Sequence, residues 1–196
     1  MNFLAHLWLT DRAGLPLVGA VLGDVVRGRL DGQLPPQLEA SIRFHRRVDV
    51  ATDAHPLSVA ARARFGDGAR RYAGIVLDVL HDHALALDWS LNGSLDGPHA
   101  EPLERFARRA ARAVADPGAW QLAANRAAPD AERFEALLLS YREPAGIDHA
   151  FERIGARPSR PERLHAVARD WRAWLADVRR DGPALRAALL ALEPSF

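Results

Sequence analysis

Residues 161–178 read Pro-Glu-Arg-Leu-His-Ala-Val-Ala-Arg-Asp-Trp-Arg-Ala-Trp-Leu-Ala-Asp-Val. Leu164, Val167, Ala168, Trp171, Leu175 and Val178 recur at spacings of three and four, and most of the charged residues between them fall on the opposite face, the pattern of an amphipathic helix. The spacing predicts a helix that starts after Ser159, with Pro161 in its first turn and Glu162 closing a capping box. It should stop or kink at Gly182-Pro183. Similar periodicity covers about 2–9, 17–26, 36–52, 70–91, 102–114 and 130–141. Between these stretches lie short turn signals: Asp31-Gly32, Pro35-Pro36, His55-Pro56, Gly66-Asp67-Gly68, Asn92-Gly93, Asp96-Gly97-Pro98 and Asp116-Pro117-Gly118. No stretch alternates with a period of two for long enough to argue for a sheet, and there is no internal repeat or low-complexity linker. The expected fold is all-α, a single-domain helical bundle spanning 1–196.

Composition narrows the function classes. The 196 residues are 48% apolar, enough to fill a core. Against 25 acidic residues stand 26 basic ones, all arginine, so the net charge of +1 removes the global attraction of a dedicated nucleic-acid binder. The missing lysines read as coding bias and carry no functional weight. There is no cysteine, which excludes disulfides, thiolate metal sites and a cysteine nucleophile, and leaves His, Asp and Glu as metal ligands. The longest run free of Asp, Glu and Arg is the eleven residues 13–23, far short of the roughly 20 apolar residues that cross a bilayer. No basic residue precedes the first apolar run, which Asp11 and Arg12 interrupt, so no secretory signal is expected and the chain reads as cytoplasmic.

The first half carries ionisable residues inside otherwise apolar helices. His45 and Asp49 are four apart, with Thr52 seven from His45, so all three project from one face. Asp78 and Asp82 are also four apart, amid Ile75, Val76, Leu77, Val79, Leu80, Leu85 and Leu87. Asp24 sits among Val18, Val21, Leu22, Val25 and Val26, and Asn2 and His6 repeat the four-residue spacing. An isolated carboxylate in such a place costs several kcal/mol to desolvate unless it is paired or bound to a cation. Helices that each turn two polar residues inward are how a bundle builds a metal site, and His with carboxylates suits Mn²⁺, Fe²⁺, Mg²⁺ or Zn²⁺. Taken singly, each pair has a plainer reading: Asp78 and Asp82 pairing with Arg46, Arg70 or Arg71, and His45 with Asp49 as an exposed helical contact. The combined set favours a metal or catalytic site. His81 and His83 flank Asp82 on opposite sides, as supporting donors, core residues or ligands. His6 is open between these readings, and His99, His149 and His165 read as surface or interhelical.

The blocks Met-Asn-Phe-Leu-Ala-His-Leu at 1–7, Gly23-Asp24 with Val-Arg-Gly at 26–28, His45-Arg46-Arg47-Val48-Asp49 with Thr52-Asp53, and Leu77-Asp78-Val79 with Asp82-His83 and Trp89 resemble, in order and spacing, the acyl-carrier-protein phosphodiesterases. The resemblance covers about 1–90. It implies an all-helical fold divergently related to the His-Asp phosphohydrolases, a divalent metal cofactor, typically manganese with magnesium, iron or cobalt as alternatives, and holo acyl carrier protein as substrate. The implied reaction hydrolyses the phosphodiester between 4'-phosphopantetheine and a carrier serine. Carried over by position, the candidate site residues are Asp24, His45, Asp49, Asp78, Asp82 and His83. The chain departs from the family at Ala20, where asparagine is frequent, and at Ala84, where an aromatic residue commonly follows Asp-His. Both bear on pocket shape and substrate preference.

On this reading Asp24, His45, Asp78 and Asp82 are expected to hold the cation. Asp49 would orient His45 or accept a proton from water, and His83 would protonate the departing serine oxygen. Arg46 and Arg47 are expected to clamp phosphate, since guanidinium binds phosphate oxygens in bidentate fashion. Arg27, with Arg29 and Arg43, is expected on a basic surface for an acidic carrier, and the stripe Arg105, Arg108, Arg109 and Arg112 reads mainly as a solvated face. Neither nucleic acid nor membrane is expected as a partner. Two rival readings stay open: a phosphohydrolase acting on a nucleotide or other small phosphoester, and a non-catalytic helical module whose acids pair with arginines.

Overall fold

The computed structural model describes residues 2–66, 69–91, 101–156 and 161–194. Among them are eleven helices and no strand: α1 (Phe3–Arg12), α2 (Gly19–Val25), α3 (Pro36–Ala54), α4 (Pro56–Ala63), α5 (Arg70–Leu91), α6 (Leu103–Val114), α7 (Pro117–Ala124), α8 (Ala131–Ser140), α9 (Pro144–Gly155), α10 (Pro161–Ala168) and α11 (Trp171–Leu190). The all-α expectation holds. No helix among the described residues is long and apolar enough to cross a membrane.

Burial of one helical face apiece explains the assembly. Leu4, Leu7, Leu22, Ile42, Phe44, Val48, Val76, Leu80 and Leu85 are nearly or fully buried and join one hydrophobic core. At about 25 cal/mol per Å² of apolar area removed from water, each such side chain contributes roughly 1.5–3 kcal/mol. α2 lies against α3, and α5 runs through the middle, touching α1, α4, α9 and α11.

Several expectations shift in instructive ways. Three helices begin where the sequence reads as a turn or carries no pattern, because His55-Pro56, Asp116-Pro117 and Glu143-Pro144 are helix starts with proline in the first turn. His55 Nδ1 accepts from the Leu57 amide at 3.2 Å, and Asp116 Oδ1 accepts from Gly118 and Ala119. The stretch from 161 to 182 is two helices, broken at Arg169-Asp170. Trp171, the first residue after the break, is buried and its indole N–H donates to the exposed Asp148 Oδ1 at 2.7 Å, while the apolar spacing runs through the break unchanged. α11 does not stop at Gly182-Pro183 but continues through Pro183 to Leu190. Leu185 and Leu189 keep the buried stripe going, and this burial offsets the hydrogen bond that proline cannot donate. Gly182 leaves room for the Arg186 guanidinium, which reaches Asp88 on α5 at 2.7 Å. The turn signals at 67–68 and 92–98, His99, the Ser159 cap and the His165 side chain lie outside the described residues.

Candidate metal centre

The site begins with a missing side chain. A Cβ on Gly23 would lie 2.2 Å from His45 Cδ2, so only glycine lets α2 press against that ring. The next residue, Asp24, then brings Oδ1 to 3.4 Å from His45 Nε2. On α3, Asp49 is one turn from His45 and places Oδ2 3.1 Å from the same nitrogen. Its other oxygen, Oδ1, lies 3.0 Å from His6 Nε2 on α1. The two imidazoles stack with centroids 4.1 Å apart and planes 25° from parallel. His6 and His45 are 3% and 2% exposed, while Asp49 is half-buried and Asp24 faces solvent.

One ligand atom each from His6, His45 and Asp49 falls within 4.8 Å of the others. All four imidazole nitrogens of the pair are buried, and none makes an aligned hydrogen bond, although two lie within 3.1 Å of a carboxylate oxygen. Donors that converge on a point without bonding each other fit a divalent cation of the Mn²⁺, Fe²⁺ or Zn²⁺ kind.

The electrostatics agree. Burial works against charge on His45, but Asp24 and Asp49 outweigh it and raise its pKa to about 9. Burial lowers His6 to about 4 against the pull of Asp49, with the His45 charge adding to the fall. Although burial opposes it, Asp49 is held below the usual carboxylate range by the two imidazoles, and Asp24 is held down by His45. The cluster thus stabilises one positive charge at its centre.

The sequence-derived residues part company here. Asp24, His45 and Asp49 come together. Asp78 is half-buried on α5 and lines a cleft with Asp24, its carboxyl pushed up by burial and further by Asp49 and Asp53. Asp82 is fully buried, and its two oxygens accept from the Leu4 and Ala5 amides at 2.7 and 3.0 Å, anchoring the N-terminus of α1. Burial raises Asp82 to about 7 against those bonds. His83 places Nδ1 2.6 Å from the Tyr141 carbonyl and its ring edge-on to Trp171, in contact with the second half of the chain. His81 lines a small cavity with Ser58, Trp174 and Asp181, and burial lowers it to about 3.

The arginines are similarly divided. Arg46 donates to the Val26 and Gly28 carbonyls at 2.8 and 2.9 Å, tying the loop after α2 to α3, and Arg47 donates to the Glu193 carbonyl. Arg43 is bound to Glu39 and the Leu30 carbonyl. Arg27 is exposed on the cleft beside Asp24. In the α6 stripe, Arg109 pairs with Asp11 and Glu101, and Arg108 pairs with Glu135. His6 is the residue that sequence reasoning left open. The signal was its four-residue spacing from Asn2 in the first block.

The acyl carrier protein phosphodiesterase family model matches residues 1–183. The curated protein of that name from Photorhabdus laumondii is 51% identical over 89 residues, 45% of each chain. The one from Yersinia pestis is 52% identical over 89 residues, 45% of this chain and 46% of that one. The one from Serratia proteamaculans is 48% identical over 99 residues, 50% and 51% respectively. The chain spans about half the length of the curated relatives it matches. No solved structure matches it. With the family model extending over more than nine-tenths of the sequence, the chain belongs to the acyl carrier protein phosphodiesterase family.

Proposed function

We propose that the chain hydrolyses the phosphodiester joining 4'-phosphopantetheine to a serine of holo acyl carrier protein, releasing apo carrier and free 4'-phosphopantetheine, with a divalent cation held by His6, His45 and Asp49. The observation that carries this reading is the set of buried imidazole nitrogens, left without aligned hydrogen bonds, around one carboxylate. Manganese is the first metal to test, with magnesium, iron and cobalt beside it. A bound cation of this kind lowers the pKa of water and polarises a phosphoryl oxygen.

The chain's own residues supply the rest. Asp49 orients both imidazoles through its two oxygens. Asp24, exposed at the edge of the triad, is placed to take a proton from attacking water or to add a further ligand. Asp78 faces the same cleft with a raised pKa, and its carboxyl is the proton donor for the departing serine oxygen. Asp82 positions His6 by gripping the first amides of α1, and Arg46 fixes the loop that presents Arg27. The test is mass spectrometry of holo carrier protein incubated with the protein and a panel of divalent metals. Loss of the arm with Mn²⁺, abolished in Asp49→Asn and His6→Ala, is the expected result. An intact arm under every metal, alongside hydrolysis of nucleotides, refutes the proposal.

A further inference from the structure

A cleft of about 730 Å³ opens beside the triad, between α2, α5, α7, α8 and α9. Asp24 links the two, since it lines the cleft and lies 3.4 Å from His45 Nε2. The volume lies within the roughly 300–1,000 Å³ typical of small-ligand clefts. Its walls are of two kinds. Arg27, Arg126 and Arg153 line it, and among the described residues none of the three has a carboxylate within ion-pair distance. Elsewhere, the exposed or half-buried Arg43, Arg64 and Arg109 and the buried Arg186 are all ion-paired. Trp120 and Phe134, both more than nine-tenths buried, form part of the apolar wall.

Three unneutralised guanidiniums beside an ion-binding triad favour an anion, and guanidinium matches phosphate oxygens in bidentate geometry. An apolar wall continuing from them favours a ligand that is a phosphate at one end and a slender, partly apolar chain beyond it. We propose that this cleft takes the 4'-phosphopantetheine arm of the carrier protein, with its phosphate among Arg27, Arg126 and Arg153 and its chain along Trp120 and Phe134. The inference rests on the phosphodiesterase reading and deepens it, because besides Arg27 it gives recognition of the arm to residues on and between α7, α8 and α9, which contribute nothing to the triad. Asn2, which lines the cleft, donates to the buried Tyr141 hydroxyl at 2.9 Å, so the cleft is braced at the start of α1.

The experiment compares the wild-type chain with Arg126→Gln, Arg153→Gln and Phe134→Ala. Calorimetry with free 4'-phosphopantetheine on EDTA-treated protein is paired with KM and kcat on holo carrier protein in Mn²⁺. Each arginine variant is expected to weaken binding of the free arm about tenfold and to raise KM in parallel, with kcat within about threefold. Pantetheine without its phosphate should bind the wild type at the weakened level and discriminate poorly among the arginine variants. Arg126 is exposed, so its variant tests the proposal even if Arg153→Gln or Phe134→Ala disturbs the fold. Wild-type affinity for the free arm in Arg126→Gln and Arg153→Gln, from a protein that still cleaves holo carrier, overturns the cleft assignment and leaves the phosphodiesterase reading standing. Failure of the wild type to cleave holo carrier overturns both.

Discussion

Gly23→Ala tests whether the backbone of α2 sets the position of the His45 ring. The new Cβ would lie 2.2, 2.3 and 2.7 Å from Cδ2, Cγ and Cβ of His45, where carbon atoms ordinarily rest about 3.5–4.0 Å apart. Relief requires α2 or the ring to move by about 1.3 Å, against a tolerance of about 0.2 Å in metal–nitrogen distances. We expect Mn²⁺ affinity to fall about 10–100-fold, the range found when a supporting contact to a ligand is lost. The fold should survive. Alanine in a helix gains up to about 1 kcal/mol over glycine, and overpacking costs about 1–3 kcal/mol, so the net loss is about 0–3 kcal/mol of a typical 5–15. The assay is calorimetric Mn²⁺ titration beside thermal melts in EDTA. Gly19→Ala is the control: it crowds Ser41 Oγ at 2.2 Å on the same helix pair but does not meet the imidazole. Wild-type Mn²⁺ affinity in Gly23→Ala, or an equal loss in Gly19→Ala, would refute the reasoning.

Other outcomes follow from the same geometry. Asp82→Ala leaves the Leu4 and Ala5 amides without their buried acceptor and should cost about 2–3 kcal/mol in denaturant melts, whereas Asp82→Asn should cost less and keep most Mn²⁺ affinity; loss of binding in Asp82→Asn as complete as in Asp49→Asn would make Asp82 a ligand instead. His81 stays neutral in the fold down to pH about 3, while the unfolded chain protonates it below about 6.5, so stability falls as pH drops through that window, by up to about 1.4 kcal/mol per unit. The melting temperature of His81→Leu should therefore gain on wild type progressively from pH 6.5 to pH 4, and a constant difference would contradict the assignment. Because a cation must displace the proton that Asp24 and Asp49 hold on His45 up to pH about 9, Mn²⁺ affinity should rise about tenfold per pH unit from 6 to 8. A flat profile in titrations across that range would mean that His45 is not a ligand.

The helical class was legible because the apolar period of α5 and α11 admits no other structure. The helix starts at Pro56, Pro117 and Pro144 were not, because an X-Pro pair suits a turn and the first turn of a helix equally; at Pro56 and Pro117 the side-chain acceptors of His55 and Asp116 cap the helix, while at Pro144 no side chain does. Periodicity likewise missed the break at Arg169-Asp170, where the apolar spacing continues across a two-residue turn between helices. In the site, the His45 and Asp49 spacing sufficed to pair them. Asp78 and Asp82 share a helix face in projection, yet Asp82 turns to the amides of α1 while Asp78 opens on the cleft. His6 could be placed only by knowing that α1 docks on α3, a contact between distant segments that a single sequence does not display. Arg46 and Arg47 sit beside His45 in sequence, but a step of about 100° per residue carries their guanidiniums to carbonyls elsewhere.

The triad draws its ligands from α1 and α3, while the facing wall is built by α7, α8 and α9. The cleft is thus shared, one side coming from the helices around the triad and the other from residues 120–154. On the proposed reading, changes confined to residues 120–154 would alter what the cleft admits while leaving His6, His45 and Asp49 in place, so exchanging that stretch between relatives is a direct way to test whether preference and chemistry separate.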